Sequence, residues 1–415
     1  VRDPVFLFHR NEEENDPDLS RREFIRRSLC AASGFCMFAA LGGRITARAA
    51  GAGKKSPSAK DINAPFTSDA RWWDPLGKKN AVRCRLCPQE CMVMDGGRGI
   101  CGVRENQGGK YKTLVYNRPV SMNVDPIEKK PLFHFLPSSK AFSIATAGCN
   151  IECKFCQNWQ ISQAAPEDIP SEKTPPEKIV QMARQSGSSS IAYTYNEPTI
   201  FFEYMYDIAK LAKEKNIPSV MISNGFMNEK PLRDLCTRLA AVKIDLKAFT
   251  EKFYTDTCSG QLKPVLHTLE VLKDIGMWFE IVVLIVPTLN DSVEENRAMC
   301  KWIVKNLGPD VPVHYSRFHS TYKIRNLPST PTKTLERCHD IAREEGIRFA
   351  YLGNVWNHRY ENTFCPKCGK MLIRRQGFYT KVVGMKDGAC EKCGEKIPGV
   401  WKYPPLSTQS SPESP

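Results

Sequence analysis

Three cysteines within eight residues, Cys149, Cys153 and Cys156, stand directly behind the apolar run 141–147. A loop this tight can aim three thiolates at one point. A closed zinc site takes four ligands, usually from C-x2–4-C pairs. Four-iron clusters are also normally held by four cysteines. Three ligands in one loop, with no fourth cysteine nearby in the sequence, point to a cluster with one iron left open. An open iron is where a substrate or cofactor binds.

After this loop, apolar strand-like runs alternate with amphipathic stretches. The strand-like runs are 141–147, 190–195, 219–223, 241–246, 278–286, 311–317 and 348–352. Between them lie helical patterns at 177–186, 200–215, 230–239, 264–275, 292–306 and 333–345. Such alternation predicts an α/β fold with a parallel sheet and crossover helices. A partial barrel and a doubly wound open sheet share this periodicity. In both, ligands gather at the carboxyl ends of the strands.

Those ends carry the candidate residues. The second strand runs into Tyr195-Asn196-Glu197-Pro198 and the third into Ser223-Asn224-Gly225. The fourth carries Lys243, Asp245 and Lys247, which alternation places on one face. Charges at the end of a buried strand require partners or a ligand. Each candidate also has a plainer reading. Glu197 could serve a helix entry, Ser223-Asn224-Gly225 could be a turn, and Asp245 with Lys247 could be a structural ion pair. The sixth strand adds His314 and His319, and Gly353-Asn354-Val355 ends the seventh.

The chain has 17 cysteines, and eleven fall into three groups with metal-like spacing. Cys84, Cys87, Cys91 and Cys101 close one glycine-rich loop, where either zinc or a second iron–sulfur cluster satisfies the ligand count. Cys365, Cys368, Cys390 and Cys393 form two C-x2-C-G knuckles, the signature of a zinc ribbon, with rubredoxin-like iron as the alternative. Cys236, Cys258, Cys300 and Cys338 sit in apolar or helical contexts and read as small buried hydrophobes. This usage is metal chemistry, not an oxidised disulfide scaffold.

The loop around Phe155, C-x3-C-x-aromatic-C, resembles the signature of the radical S-adenosylmethionine (SAM) enzymes. The stretch from Arg83 to Trp401 resembles the branch related to pyruvate formate-lyase activating enzyme. Within it, the AmmeMemoRadiSam system radical SAM enzymes are the nearest resemblance, and Gly399-Val400-Trp401 is similar to their ending. The resemblance implies a partial (β/α)6 radical SAM barrel, flanked by a small N-terminal four-cysteine unit and a C-terminal zinc-ribbon-like unit. It implies a 4Fe-4S cluster on Cys149, Cys153 and Cys156, with SAM chelating the fourth iron through its amino and carboxylate groups. One electron then cleaves SAM, and a 5′-deoxyadenosyl radical abstracts hydrogen from a substrate.

The relatives carry Gly-Gly-Glu-Pro where this chain has Tyr195-Asn196-Glu197-Pro198. The resemblance therefore assigns Glu197, with Asn196 beside it, to the SAM amino group. It assigns Ser223 and Asn224 to the ribose, and Asp245 and Lys247 to SAM or substrate. Adenine is expected along the backbone of the stretch Val286-Pro287-Thr288-Leu289-Asn290-Asp291, which is similar to the family's Val-Pro-x-x-x-Asp. The implied partners are an electron donor such as flavodoxin or ferredoxin and, if the chain is an activating enzyme, a protein that receives a glycyl radical.

The expected divisions are a signal region at 1–50, a linker at 51–69 and the four-cysteine unit at 70–136. The radical SAM core follows at 137–357, then the ribbon at 358–403 and a loose tail at 404–415. Ser20-Arg21-Arg22-Glu23-Phe24 and the modest apolar run after it resemble a twin-arginine export signal, too short and small-residue-rich for a membrane span. Export contrasts with the cytosolic supply of SAM and low-potential electrons, so the two readings of location stay open. The net charge of +14 and Arg374, Arg375 and Lys381 in the ribbon raise nucleic acid as a partner. That reading gives the three-cysteine loop no role and is set aside.

Overall fold

The apolar runs become the strands of one sheet. The computed structural model describes residues 63–403, Lys78 excepted. Eight strands join in the order of the chain: β1 (Ser121–Pro126), β2 (Lys140–Ala145), β3 (Ser190–Tyr193), β4 (Ser219–Ser223), β5 (Ala241–Asp245), β6 (Phe279–Ile285), β7 (Val313–Arg317) and β8 (Ala350–Gly353). β2 to β8 are parallel, whereas β1 pairs with β2 antiparallel. All seven expected runs form strands. β1 was not expected, because Ser121-Met122-Asn123-Val124-Asp125-Pro126 ends in two strand-poor residues; its exposed outer positions make it an edge.

Six crossovers carry helices α1 (Pro176–Gln185), α2 (Phe202–Glu214), α3 (Glu229–Cys236), α4 (Leu262–Asp274), α5 (Val293–Asn306) and α6 (Thr332–Glu344). When parallel strands follow chain order, same-handed crossovers put every helix on one face and the sheet curls around the other. β8 and β1 remain its two edges, so the barrel is open, in keeping with a partial (β/α)6 architecture. The helices start where local chemistry says they should: Pro176 occupies the first position of α1, and the Ser292 hydroxyl accepts from Glu295 N–H to cap α5. No helix among the described residues is long and apolar enough to cross a membrane.

The segment between β1 and β2 folds into the barrel. Glu280, fully buried on β6, accepts from the backbone N–H groups of Phe133 (3.0 Å) and His134 (2.8 Å). It also takes the Nε2–H of His314 at 2.7 Å. These bonds keep its pKa low although burial works in the opposite direction.

The linker expectation needs correction at its end. Asn63 and Phe66 are buried, and Ser68–Asp69 pairs with Lys112 and Thr113, so 63–69 belong to the folded unit rather than to the linker. The signal region, the rest of the linker and the tail lie outside the described residues.

At the other end, β9 (Met371–Gln376) and β10 (Tyr379–Val382) form a hairpin of the ribbon. The Arg375 side chain, 1 % exposed, packs over the Phe133 ring at 4.0 Å. It donates to Phe133 O (2.8 Å), Thr363 Oγ1 (2.8 Å) and Glu361 O (3.1 Å). A charge spent inward in this way cannot meet a phosphate backbone, which removes part of the electrostatic case for nucleic acid. Replacing Arg375 with alanine strands three acceptors and opens a cavity, at a cost of about 3 kcal/mol. Thermal unfolding of the purified variant checks this; an unchanged Tm would show that the ribbon is held by other contacts.

Candidate active site

The carboxyl ends of the strands surround one cavity of about 670 Å³, the size class that holds a cofactor together with a small substrate. Cys149, Cys153 and Cys156 form part of its wall, as the loop after β2 predicts. Phe155 lies buried beside them and packs on Phe253. The Cys156 Sγ is 3.2 Å from Ser162 Oγ. Burial pushes the Cys149 thiol well above its ordinary value, with the nearby Glu197 charge adding to it, so metal binding there must displace a proton.

The fold also brings Cys258, distant in sequence, against the loop, its carbonyl accepting from Glu152 N–H at 2.9 Å. The loop is therefore less isolated from other sulfur than its sequence neighbourhood suggests. Cys258 lies outside the cavity wall, and it is buried with Cys236, Cys300 and Cys338, as expected for small hydrophobes.

Asn196 reaches the cavity and Glu197 does not. The Glu197 carboxylate is fully buried and accepts from Thr199 N (2.9 Å), Thr199 Oγ1 (2.7 Å), Ser223 Oγ (2.8 Å) and Asn224 N (2.7 Å). Four donors leave it little capacity for a ligand ammonium. The helix-entry reading describes it better: it braces the β3 and β4 ends against each other. Ser223 is likewise behind the wall, while Asn224 faces the cavity and donates to Asn150 Oδ1 at 2.8 Å.

The Asn196 side-chain amide donates to Thr146 O and Gly148 O, both at 2.6 Å. Its Oδ1 is buried without a partner. Tyr195, at the place of a glycine in the resembling sequences, keeps the left-handed backbone that glycine would favour, with φ +71°. For a side-chain-bearing residue that conformation costs roughly 1–2 kcal/mol. The offset is visible: the Tyr195 hydroxyl donates to Asp125, and the Lys130 ammonium sits 4.4 Å from the ring centroid.

Lys243, Asp245 and Lys247 all line the cavity, with the Asp245 carboxylate bonded to Lys243 and 3.5 Å from Lys247 Nζ. Burial works against each charge. It prevails at Lys243, whose pKa is lowered, but at Lys247 the Asp245 and Cys153 charges outweigh it and the pKa is raised. Asp245 is held below its ordinary value by the two lysines despite burial. The 286–291 stretch, expected beside adenine, is absent from the wall; Val282 and Leu284 of the preceding strand β6 are there instead.

Several wall residues had no sequence signal strong enough to find them. Lys129 and Lys130 enter from the β1–β2 segment, bound to Asp125 at 2.9 Å and 2.6 Å. Burial pushes Lys130 down to about 8, with Asp125 opposing. Trp356, 73 % exposed, and Phe378 from the ribbon hairpin stand at the rim. The adjacent Glu128-Lys129-Lys130-Pro131 before an apolar run was the one available hint. His314 and His319 both line the cavity, as do Gly353, Asn354 and Val355.

The ribbon cysteines converge separately. Cys365 and Cys393 Sγ are 3.5 Å apart, Cys368 and Cys390 3.7 Å. These separations match the edge of about 3.8 Å expected for a tetrahedron of thiolates around zinc.

A profile of the radical SAM superfamily matches residues 143–303. An uncharacterized protein of Methanocaldococcus jannaschii is 42% identical over 320 residues, covering 77% of this chain and 95% of that protein. The pyruvate formate-lyase-activating enzyme of Clostridium pasteurianum is 22% identical over 216 residues, 48% of this chain and 87% of that one. Among solved structures, a radical SAM methyltransferase from Sphaerobacter thermophilus aligns with a TM-score of 0.43 and 12% identity, covering 74% of this chain and 81% of that chain. The chain belongs to the radical SAM superfamily. It is therefore an enzyme, and the family implies SAM, a 4Fe-4S cluster and a source of electrons.

The residues present fit that requirement. Three thiols without a fourth in the wall suit a cluster with one open iron, and Asn196, whose buried Oδ1 has no partner in the protein, lines the same wall. Among the described residues, only the ribbon quartet brings three or more metal-ligating atoms all within 4.8 Å of one another. The Cys149, Cys153 and Cys156 sulfurs thus stand wider apart than a single tetrahedral ion requires.

Proposed function

We propose that this enzyme cleaves SAM reductively in the cavity above Cys149, Cys153 and Cys156, to abstract hydrogen from a substrate of the AmmeMemoRadiSam type. What carries the reading is the meeting of those thiols, Asn196 and the Lys243–Asp245–Lys247 charges on one wall. Bound there, the cluster and SAM supply a 5′-deoxyadenosyl radical.

The chain's own residues position and protect. Cys149, Cys153 and Cys156 hold the cluster, and Asn196 Oδ1 accepts from the SAM ammonium in place of Glu197. Lys247 remains a cation beside Cys153 and offsets thiolate charge. Asp245 presents a carboxylate edge, and Asn224 stands where the ribose is expected. Val282, Leu284 and Leu352 exclude water, which protects a reactive intermediate. Because the Glu280 carboxylate only accepts, His314 Nε2 carries the hydrogen and the buried, unpartnered Nδ1 is an acceptor toward substrate. The ribbon quartet holds zinc as a structural staple, and flavodoxin or ferredoxin supplies the electron.

A second reading, activation of a glycyl-radical enzyme, is favoured by the likeness to the Clostridium pasteurianum activating enzyme. Anaerobic incubation with SAM and dithionite should yield 5′-deoxyadenosine and methionine; their absence from cluster-loaded protein would refute the main reading. Adding a glycyl-radical enzyme then separates the two substrates, since only the second reading yields a glycyl radical signal.

A further inference from the structure

Behind the active-site loop lies a second sulfur-lined hollow. Cys84 ends the strand Val82–Cys84, and its N–H donates to Cys91 O at 2.9 Å. That bond folds the intervening Cys87 into the same turn. Cys101 returns after the Gly96-Gly97-Arg98-Gly99 stretch, and Ile100 N–H donates to Cys91 Sγ at 3.4 Å. All four cysteines line one small cavity, closed on its inner side by Asn150, Thr199 and Ile200.

Arg104 and Tyr111 line it too, each 1 % exposed. One edge of the guanidinium is satisfied, Nη2 donating to Glu203 at 3.1 Å and to Arg71 O. Its Nε and Nη1, and the Tyr111 hydroxyl, are buried with no partner. An unmade hydrogen bond of a buried charged group is expensive, and neutral thiols are poor acceptors. Thiolates bound to a metal supply both the acceptors and the negative charge that this face of Arg104 lacks.

Spacing distinguishes the kinds of metal site. The ribbon quartet is drawn to zinc dimensions. In the N-terminal quartet no three sulfurs fall within 4.8 Å of one another, against the edge of about 3.8 Å that one zinc ion imposes. A cluster distributes its thiolates over different iron atoms and holds them farther apart.

The hollow also abuts the active-site loop. Gln89, between Cys87 and Cys91, donates to Asn150 O at 2.9 Å. Gly148, directly before Cys149, has φ +93°, and a Cβ there would lie 2.5 Å from Cys101 O and 2.6 Å from Val103 Cγ1. Only glycine permits this approach.

We propose that Cys84, Cys87, Cys91 and Cys101 hold an iron–sulfur cluster that relays single electrons to the cluster on Cys149, Cys153 and Cys156. The relay rests on the proposed function of the latter three; the metal assignment does not. One electron leaves a ferredoxin- or flavodoxin-class donor, which is oxidised, and reduces the N-terminal cluster. The same electron then passes on and reduces the active-site cluster, restoring the first to its oxidised form.

The test uses full chains purified anaerobically, with iron, acid-labile sulfide, zinc and paramagnetic resonance as readouts. A variant carrying Cys149→Ala, Cys153→Ala and Cys156→Ala should keep roughly half of the wild-type iron and sulfide, and a reducible cluster signal that SAM does not alter. An iron-free variant carrying two zinc ions per chain, one beyond the ribbon's, would overturn the metal assignment. Iron unchanged from wild type would instead sink the active-site assignment. Cys87→Ser with Cys101→Ser should keep the SAM-sensitive signal. Its 5′-deoxyadenosine yield should drop by roughly an order of magnitude with ferredoxin as donor and far less with dithionite. Equal losses with both donors would overturn the relay, and if that variant misfolds by circular dichroism the first variant still decides the metal.

Discussion

Cys153→Ala abolishes SAM cleavage, with 5′-deoxyadenosine falling to background, while the protein remains folded. The thiol is small and lies in the cavity wall, so its loss as a packing group costs about 1 kcal/mol or less. Its loss as a ligand is another matter: two thiolates cannot hold a four-iron cluster stably. Iron should fall by roughly half, the remainder belonging to the N-terminal quartet, and zinc should not change. The neighbouring Cys258, whose carbonyl accepts from Glu152 in the cysteine loop but which lies off the wall, provides the control. Cys258→Ala should retain its iron and its cleavage activity. Deoxyadenosine production persisting in Cys153→Ala, or vanishing only in Cys258→Ala, would reassign the ligand set.

That control also shows where sequence spacing stops being informative. The C-x3-C-x2-C loop and all seven parallel strands are visible in the sequence because both are local: one is a spacing, the others are apolar runs of fixed period. Contacts such as Glu152 with Cys258, or Arg375 with Phe133, join residues more than a hundred positions apart and leave no local trace. Glu197 illustrates a subtler limit. A carboxylate at a strand end has the right chemistry for an ammonium, but whether its oxygens are free depends on Thr199, Ser223 and Asn224 turning toward it. The neighbouring Asn196 was visible only as a departure from the glycine pattern, and its unpartnered Oδ1 emerges only in three dimensions. Conversely, the two C-x2-C-G knuckles sufficed to place the ribbon quartet, because paired knuckles have few other ways to close.

The buried charges of β5 give the second large effect. Asp245→Asn leaves Lys243 and Lys247 facing each other with no anion between them, at nearly unchanged volume. Removing one partner from a buried ionic group typically costs about 3–5 kcal/mol. The low end applies here, because the Asp245 side chain keeps 30% of its surface exposed. The cost depends on pH in a direction that can be worked out. Lys243 already titrates below an ordinary lysine because burial disfavours its charge, and losing Asp245 lowers it further. Between that depressed value and the unfolded value near about 10.4, the unfolded chain binds more protons than the folded one, so stability rises with pH. The deficit of Asp245→Asn relative to wild type should therefore be full at neutral pH and shrink on the alkaline side, as Lys243 sheds its proton in the folded variant. Urea unfolding of both proteins at neutral pH and near pH 9.5 measures this. A deficit that stays constant or grows with pH would mean that the two lysines are reached by water or other anions, and that Asp245 is held in place by something other than their charge.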